Sequence, residues 1–216
     1  MTISQSMTAH SREHAGFLLA EKLRRFKDSQ TIVIGVSHGG ALIGYHLARI
    51  LHVPFDVVPC KKINHPVSTE KTIGSISMSE VIIHEDAHDI PREYIYRQIV
   101  MNQNALKAQQ AIYKSNHAQR SVENKTVIIV SDVLNSADAV LASLRGIKKQ
   151  KPEKIIVAAP AATAEVISRL LRDADDVAVL RVENLRQENF YEEYSLINDD
   201  EVRELIIKAI EEFNSG

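Results

Sequence analysis

Residues 127–139 read VIIVSDVLNSADA, and the chain continues AVLASLRGIKK to residue 149. A β-branched apolar run ends in a serine and an acid, then a polar loop leads into a segment of helical periodicity. A strand that turns into a helix this way gathers backbone N–H groups and the positive end of the helix dipole at one point. Many α/β proteins hold a phosphate there. Such loops usually carry glycines and threonines, and this one carries none. The stretch therefore points to an α/β fold. It also poses a question: is the loop a working anion site, a worn one or a plain turn?

The same alternation extends outward. TIVIGV (31–36), FDVVP (55–59), KIIVAAP (154–160) and DVAVL (176–180) read as further short strands. ALIGYHLARIL (41–51) and residues 11–27, 137–149 and 163–173 carry helical spacing, with Ser11 as a candidate N-cap. Strand, loop and helix in repetition predict βαβ units, hence a mainly parallel sheet of five to six strands flanked by helices. Between Lys61 and Asn124 the alternation breaks. KTIGSISM and EVIIHE predict two antiparallel strands, and Asp89 and Pro91 open a long helix to about residue 116. We expect a single domain with a core of about 10–60 and 125–216 and an inserted hood of about 61–124. An amphipathic helix, DDEVRELIIKAIEEF, follows near the C-terminus with Asp199 or Asp200 as its cap.

Composition narrows the function classes. The 216 residues suffice for one α/β domain with a full core. A net charge of −2 with interspersed signs gives no nucleic-acid footprint. No run approaches the ~20 apolar residues that span a bilayer, and residues 1–23 lack an apolar signal core. Cys60 is the single cysteine. No intrachain disulfide can form, and a reducing cytoplasmic setting is expected; Cys60 itself reads as structural or incidental.

Three loops fall at predicted strand ends: Ser37–Gly40, Pro59–Lys62 and Ser131–Asp138. Ligands of open α/β sheets bind in that crevice. The motifs there are GVSHGG (35–40), CKK (60–62), TEKTIGSI (69–76), FYEEY (190–194) and NDDEV (198–202). In order and spacing they resemble the type I phosphoribosyltransferase family, which shows G-L-P-R-G-G, V-R-K, P-E-x-A-I-G-A-I, an aromatic pair and D-D-E-V. The resemblance runs from about His10 to Phe213.

That resemblance implies a transfer of ribose 5-phosphate from phosphoribosyl pyrophosphate (PRPP) to an acceptor, with Mg²⁺ travelling on PRPP and no metal held directly by protein. It implies that Ser37, His38, Gly39 and Gly40 cradle pyrophosphate, and that Lys61 and Lys62 neutralise it. Asp132 would hold the ribose hydroxyls, Ser131 to Ala139 the 5′-phosphate, and Phe190 and Tyr191 the acceptor. It also implies a homodimer, for which the helix positions Ile95, Ile99, Leu106 and Ile112 offer an apolar surface. Bland readings stand beside these: a solvated basic strand end for the lysines, a space-filling loop residue for His38, and ordinary packing for the aromatic pair.

The opening stretch departs most from the family signature, D-D-G-L-A-T-G-A-T. Of two acids only Asp132 remains, beside Ser131. Val133 and Ala137 replace glycines, Ser136 keeps a hydroxyl, Asn135 and Ala139 stand at the alanine and the last threonine, and Asp138 adds a negative charge. Two unit charges ~4 Å apart near a surface repel by roughly 4 kcal/mol, about three decades of affinity. Alternatively, Asp138 itself fills the anion site. Either way the loop reads as worn. A second hypothesis therefore stands beside the transferase: a fold relative that binds a ligand without transfer. Finally, HEDAH (84–88) matches the H-E-x-x-H zinc string, but the predicted strand before it and helix start after it keep the two histidines off one helix face.

Overall fold

The computed structural model describes residues 9–69, 71–114, 120–183 and 190–214. Five strands, β1 (Thr31–Val36), β2 (Phe55–Val58), β6 (Thr126–Val130), β7 (Lys154–Ala162) and β8 (Asp176–Val182), form a parallel sheet in the order β2-β1-β6-β7-β8. Every residue of β1 is buried, as expected of a parallel strand covered on both faces. Alternate side chains separate into two cores. Val33, Ile128 and Ile156 pack with α1 (Arg12–Lys22), α2 (Ser37–Leu51) and α6 (Asp199–Asn214). Ile32, Ile34, Ile129 and Val157 pack with α4 (Asp138–Lys148) and α5 (Ala164–Leu170).

The register places the site. Gly35 pairs with Val130 and Val36 with Val58, so β1, β2 and β6 end at one edge of the sheet. The loops that follow β1 and β6 are neighbours there.

Residues between β2 and β6 build a second sheet, antiparallel, in the order β3 (Cys60–Asn64), β4 (Thr72–Ser77), β5 (Val81–Ile83). The 22-residue α3 (Arg92–Tyr113) closes a third core on it through Ile63, Ile73, Ile76, Ile90 and Leu106. β4 also docks on α4: Ser75 Oγ donates to the Asp138 carbonyl at 2.7 Å and Ser77 Oγ to that of Ala142 at 3.0 Å.

Several local expectations change. The hood has three strands rather than two, because Cys60–Asn64 pairs with β4 instead of extending β2. α2 begins at Ser37 rather than 41, so the expected pyrophosphate loop is the helix's first turn. The cap of α6 is Asn198, one residue earlier than expected: its side chain accepts from Glu201 N at 3.0 Å, while Glu201 accepts from Asn198 N at 2.8 Å, a capping box. Ser11 does cap α1, accepting from His14 N at 3.2 Å. The predicted continuation of α3 to about residue 116 lies outside the described residues.

Candidate functional site

β1 ends in extended Val36, and Ser37 then takes φ 71°, the left-handed region where a side chain is strained. The turn lets α2 start at once, and its N-terminus has no side-chain cap apart from Ser37 Oγ, which accepts from Gly40 N at 3.3 Å. Ser37 is exposed and His38 half-buried. Gly39 and Gly40 are buried for a reason the sequence did not give. A Cβ on Gly40 would lie 2.5 Å from the Val130 carbonyl oxygen, and one on Gly39 would overlap the Asp132 carboxylate. These glycines let the turn after β1 touch the turn after β6.

The second turn is pinned to β7: Ser131 N donates to Ala158 at 3.0 Å and Leu134 N to Ala161 at 2.8 Å. Val133 and Leu134 are buried, so bulk has replaced the open loop that glycines would allow. Asp132 is 2% exposed, and both its oxygens are taken. Arg12 Nε donates to Oδ2 at 2.7 Å; Tyr191 OH donates to Oδ1 at 2.6 Å and Val133 N to Oδ1 at 2.9 Å. Arg12 in turn donates to the Ser195 carbonyl at 2.7 Å and lies 5.2 and 4.7 Å from the Tyr191 and Tyr194 ring centres. Burial works against the Arg12 charge, but Asp132 outweighs it and holds the guanidinium above its usual value. Burial and the Asp132 charge push the Tyr191 phenol far up, so it serves as a donor.

At the far end of this turn Asp138 is also 2% exposed. His84 Nε2 and Arg169 Nη2 each lie 2.9 Å from its Oδ1, and Ser136 donates to its Oδ2. The first histidine of the HEDAH string thus faces an aspartate, while His88 sits by Glu85 O and Asp89. Among the described residues no group of three or more His, Cys, Asp or Glu side chains could hold a metal ion. With Asp132 committed to Arg12 and Tyr191, the donor set does not fit a protein-held Mg²⁺.

The remaining candidates fall in different places. Phe190 and Tyr191 are buried in the core beneath the crevice, edge to face with ring centres 5.0 Å apart, and offer no open stacking face. Lys61 and Lys62 stand on β3 of the hood, opposite Ile76 and Ser75. Ile95 and Ile99 pack on the hood core, Leu106 is buried in it, and Ile112 is partly exposed, so α3 leaves Tyr96 and Met101 as its most exposed large apolar residues. Cys60 keeps some exposed surface, but burial of its sulfur pushes the thiol up to about 11, against the pull of Lys62.

Two cavities flank Arg12. The larger, about 570 Å³, lies behind it among Glu13, His46, Glu192 and Ser195 and reaches neither turn. The smaller, about 210 Å³, is lined by Ser37, His38, Gly39, Asp132, Tyr194 and Ile197 and opens on both. At its rim His38 Nε2 lies 2.8 Å from Asp199 Oδ1. That same oxygen accepts from Gln109 at 2.6 Å and Tyr113 at 2.7 Å, both on α3, which ties the hood to the core. Burial would raise the Asp199 carboxyl, yet hydrogen bonds from Tyr113, His38 and Gln109 hold it below the usual value. Sequence reasoning missed Arg12 and Arg169 altogether; it touched Tyr194, Asp199 and His84 only through the FYEEY, NDDEV and HEDAH strings and gave none of them its partner, because pairings such as Arg12 with Asp132 and His38 with Asp199 cross 120 and 161 positions.

Comparison with known proteins agrees with this architecture. The phosphoribosyl transferase domain family matches residues 6–196. Two Mycobacterium tuberculosis proteins, from strains CDC 1551 and H37Rv and provisionally named phosphoribosyl transferases, are 24% identical over 212 residues, 94% of this chain and 47% of theirs. The chain spans about half the length of these curated relatives. A crystallised protein of Thermus thermophilus superposes with a TM-score of 0.78 at 24% identity, over 94% of this chain and 99% of its own. One from Aquifex aeolicus gives 0.51 at 12% identity, over 88% and 90%. These two show the fold. The chain belongs to the phosphoribosyl transferase domain family.

Proposed function

We propose that this phosphoribosyl transferase domain moves ribose 5-phosphate from PRPP to an acceptor, with pyrophosphate leaving at the first turn of α2. The observation that carries this reading is the cavity of about 210 Å³ over the N-terminus of α2, where Ser37 and His38 are accessible. Backbone N–H groups and the helix dipole stabilise a departing anion without reorganising. Mg²⁺ comes with PRPP and neutralises its diphosphate; the chain's own groups bind and orient it. Lys61 and Lys62 supply further positive charge from the hood, and Tyr194, rather than buried Phe190 and Tyr191, walls the acceptor side.

A second reading, ligand binding without transfer, is favoured by one observation: both oxygens of Asp132 are already hydrogen-bonded inside the protein.

Calorimetry with PRPP–Mg²⁺, pyrophosphate and ribose 5-phosphate tests both. We expect PRPP–Mg²⁺ and pyrophosphate to bind, and pyrophosphate to be released when nucleobases are added with PRPP. Binding without release selects the second reading, and binding of none of the three refutes both. We further propose a cytoplasmic homodimer that uses the exposed α3 residues Tyr96 and Met101; light scattering showing a monomer at micromolar concentration refutes the dimer. No described helix is long and apolar enough to cross a membrane.

A further inference from the structure

One carboxylate oxygen joins three helices. Asp199, the first residue of α6, accepts at Oδ1 from Gln109 and Tyr113 of α3, and His38 of α2 reaches the same atom. These partners settle which nitrogen of His38 carries hydrogen. Gln109 has two N–H groups, and both are used, on Asp199 Oδ1 and on the Tyr113 oxygen 2.9 Å away. The Tyr113 hydroxyl gives its own hydrogen to Asp199. Gln109 Nε2 lies 3.5 Å from His38 Nε2 but has no hydrogen left for it. An ionised carboxylate can only accept. His38 Nε2 is therefore the N–H, and the neutral ring keeps its lone pair on Nδ1. Among the described residues Nδ1 has no hydrogen-bond partner.

Gln109 Oε1 is buried with no partner. Such an orphan costs free energy, so the amide sits where its N–H groups serve Asp199 and Tyr113, not where it is itself satisfied. The clasp fixes His38 at the rim of the cavity of about 210 Å³, with 40% of its side chain exposed. A lone pair on Nδ1 repels a phosphate oxygen, whereas an N–H there attracts it. The two states differ by one proton, and imidazole ordinarily changes charge between about pH 5 and 8. The same cavity is lined by Arg12 and Asp132, paired with each other, and by Tyr194. Beyond Ser37 lies Cys60 on β3, flanked by Lys61 and Lys62. Burial pushes the Cys60 thiol up to about 11, and burial with Asp199 pushes the Tyr113 phenol far up. Both stay protonated near neutral pH.

We propose that Asp199 positions His38 as a proton-coupled clamp on pyrophosphate. Nε2–H stays on Asp199, Nδ1 takes one proton from solvent, and the new N–H donates to a pyrophosphate oxygen. Asp199 touches no ligand; it orients the ring and offsets the imidazolium charge. Given pyrophosphate at the first turn of α2, the reading on which this rests, its affinity rises as pH falls.

Pyrophosphate is the probe, titrated calorimetrically into the whole chain in buffers of different ionisation enthalpy, so that protons taken up are measured. Near pH 7 the unaltered protein should take up roughly half a proton more per ligand than His38→Arg, whose charge is permanent. The ligand's own protons are common to both and cancel. His38→Ala should lose about tenfold in affinity at about pH 6 and roughly twofold or less at about pH 8. Asp199→Asn keeps an acceptor for Nε2–H without the charge, so it should weaken binding about two- to fivefold at about pH 6. In the His38→Ala background the same change should cost nothing; a loss there would show a purely structural Asp199 and overturn its role. Equal proton uptake by the unaltered protein and His38→Arg overturns the clamp alone, since pyrophosphate still binds. No pyrophosphate binding at any pH overturns the clamp and the transferase reading together. If His38→Arg does not fold, the His38 ring signals of the unaltered protein decide. Pyrophosphate should move them toward the imidazolium position near pH 7, and unmoved signals at saturation refute the clamp.

Discussion

The turns after β1 and β6 lie side by side at one sheet edge, and each launches a helix, yet one is open and the other filled. After β1 there is no acid, two glycines, and an exposed Ser37 at the helix start. After β6 two aspartates are buried, each neutralised by an arginine from elsewhere in the chain, Arg12 for Asp132 and Arg169 for Asp138. A helix N-terminus attracts negative charge whatever its source. Where the chain supplies that charge, the turn becomes a structural joint. Where it does not, the turn stays available to a ligand. Neighbouring geometry alone therefore does not decide which strand end binds; the acids do.

The largest effect expected from breaking this contrast is at Asp132. Asp132→Ala leaves Arg12 buried with no carboxylate, which should cost about 3–5 kcal/mol in chemical denaturation. A loss below about 1 kcal/mol, the size of an ordinary exposed pair, would mean that the filled turn is not a structural joint. Next comes Gly39→Ala. Its methyl group must push aside the Asp132 carboxylate and the Arg12 Nε 2.9 Å away, so it should cost roughly 1–3 kcal/mol and weaken pyrophosphate binding together. Unchanged stability would show that the two turns are not in forced contact.

Ser77→Ala removes one tie between the hood and α4, on the filled side only. About 1 kcal/mol should be lost, with faster hydrogen exchange in β4 and unaltered pyrophosphate affinity; altered affinity would show that the hood acts on the open turn. The smallest effect is at Asp199, beside the open turn. Its folded-state carboxyl titrates below the usual value near about 4, so its stabilising contribution is present above that value and fades as pH falls through the lower folded one. Asp199→Asn should flatten the acid limb of the stability profile below about pH 4 and leave the neutral region little changed. An identical acid limb would refute the account of its hydrogen bonds.

Much of the fold could be read along the chain because the parallel strands are continuous apolar runs buried on both faces, as TIVIGV and VIIV are. β3 escaped because Cys60–Asn64 has a single fully buried residue, Ile63, among lysines, so its alternation is hidden. The start of α2 was misplaced because glycines usually mark a loop, whereas here Gly39 and Gly40 are helical and demanded by contact with the neighbouring turn. The site was legible as a set of strand ends and no further. Arg12 meets Asp132 across 120 positions and Tyr191 meets it across 59, and no local spacing announces a pairing of that range. Phe190 and Tyr191 could be picked out by type, but a buried aromatic and a stacking aromatic look alike in sequence.

The hood also has a kinetic side. It is inserted between β2 and β6, both neighbours of β1, so Thr31 must wait for Thr126, 95 positions later, before the sheet's centre can close. At about 5–20 residues per second of synthesis, that is a delay of roughly 5–20 s. During it, one long edge of β1 has no partner and is open to chaperones or to other chains. Once closed, the sheet is nearly indifferent to the length of the detour, because doubling a loop costs only about 0.6 kcal/mol. An insertion at this point can be lengthened, shortened or exchanged at little thermodynamic cost, and it is the newly made chain, in those seconds, that bears the burden.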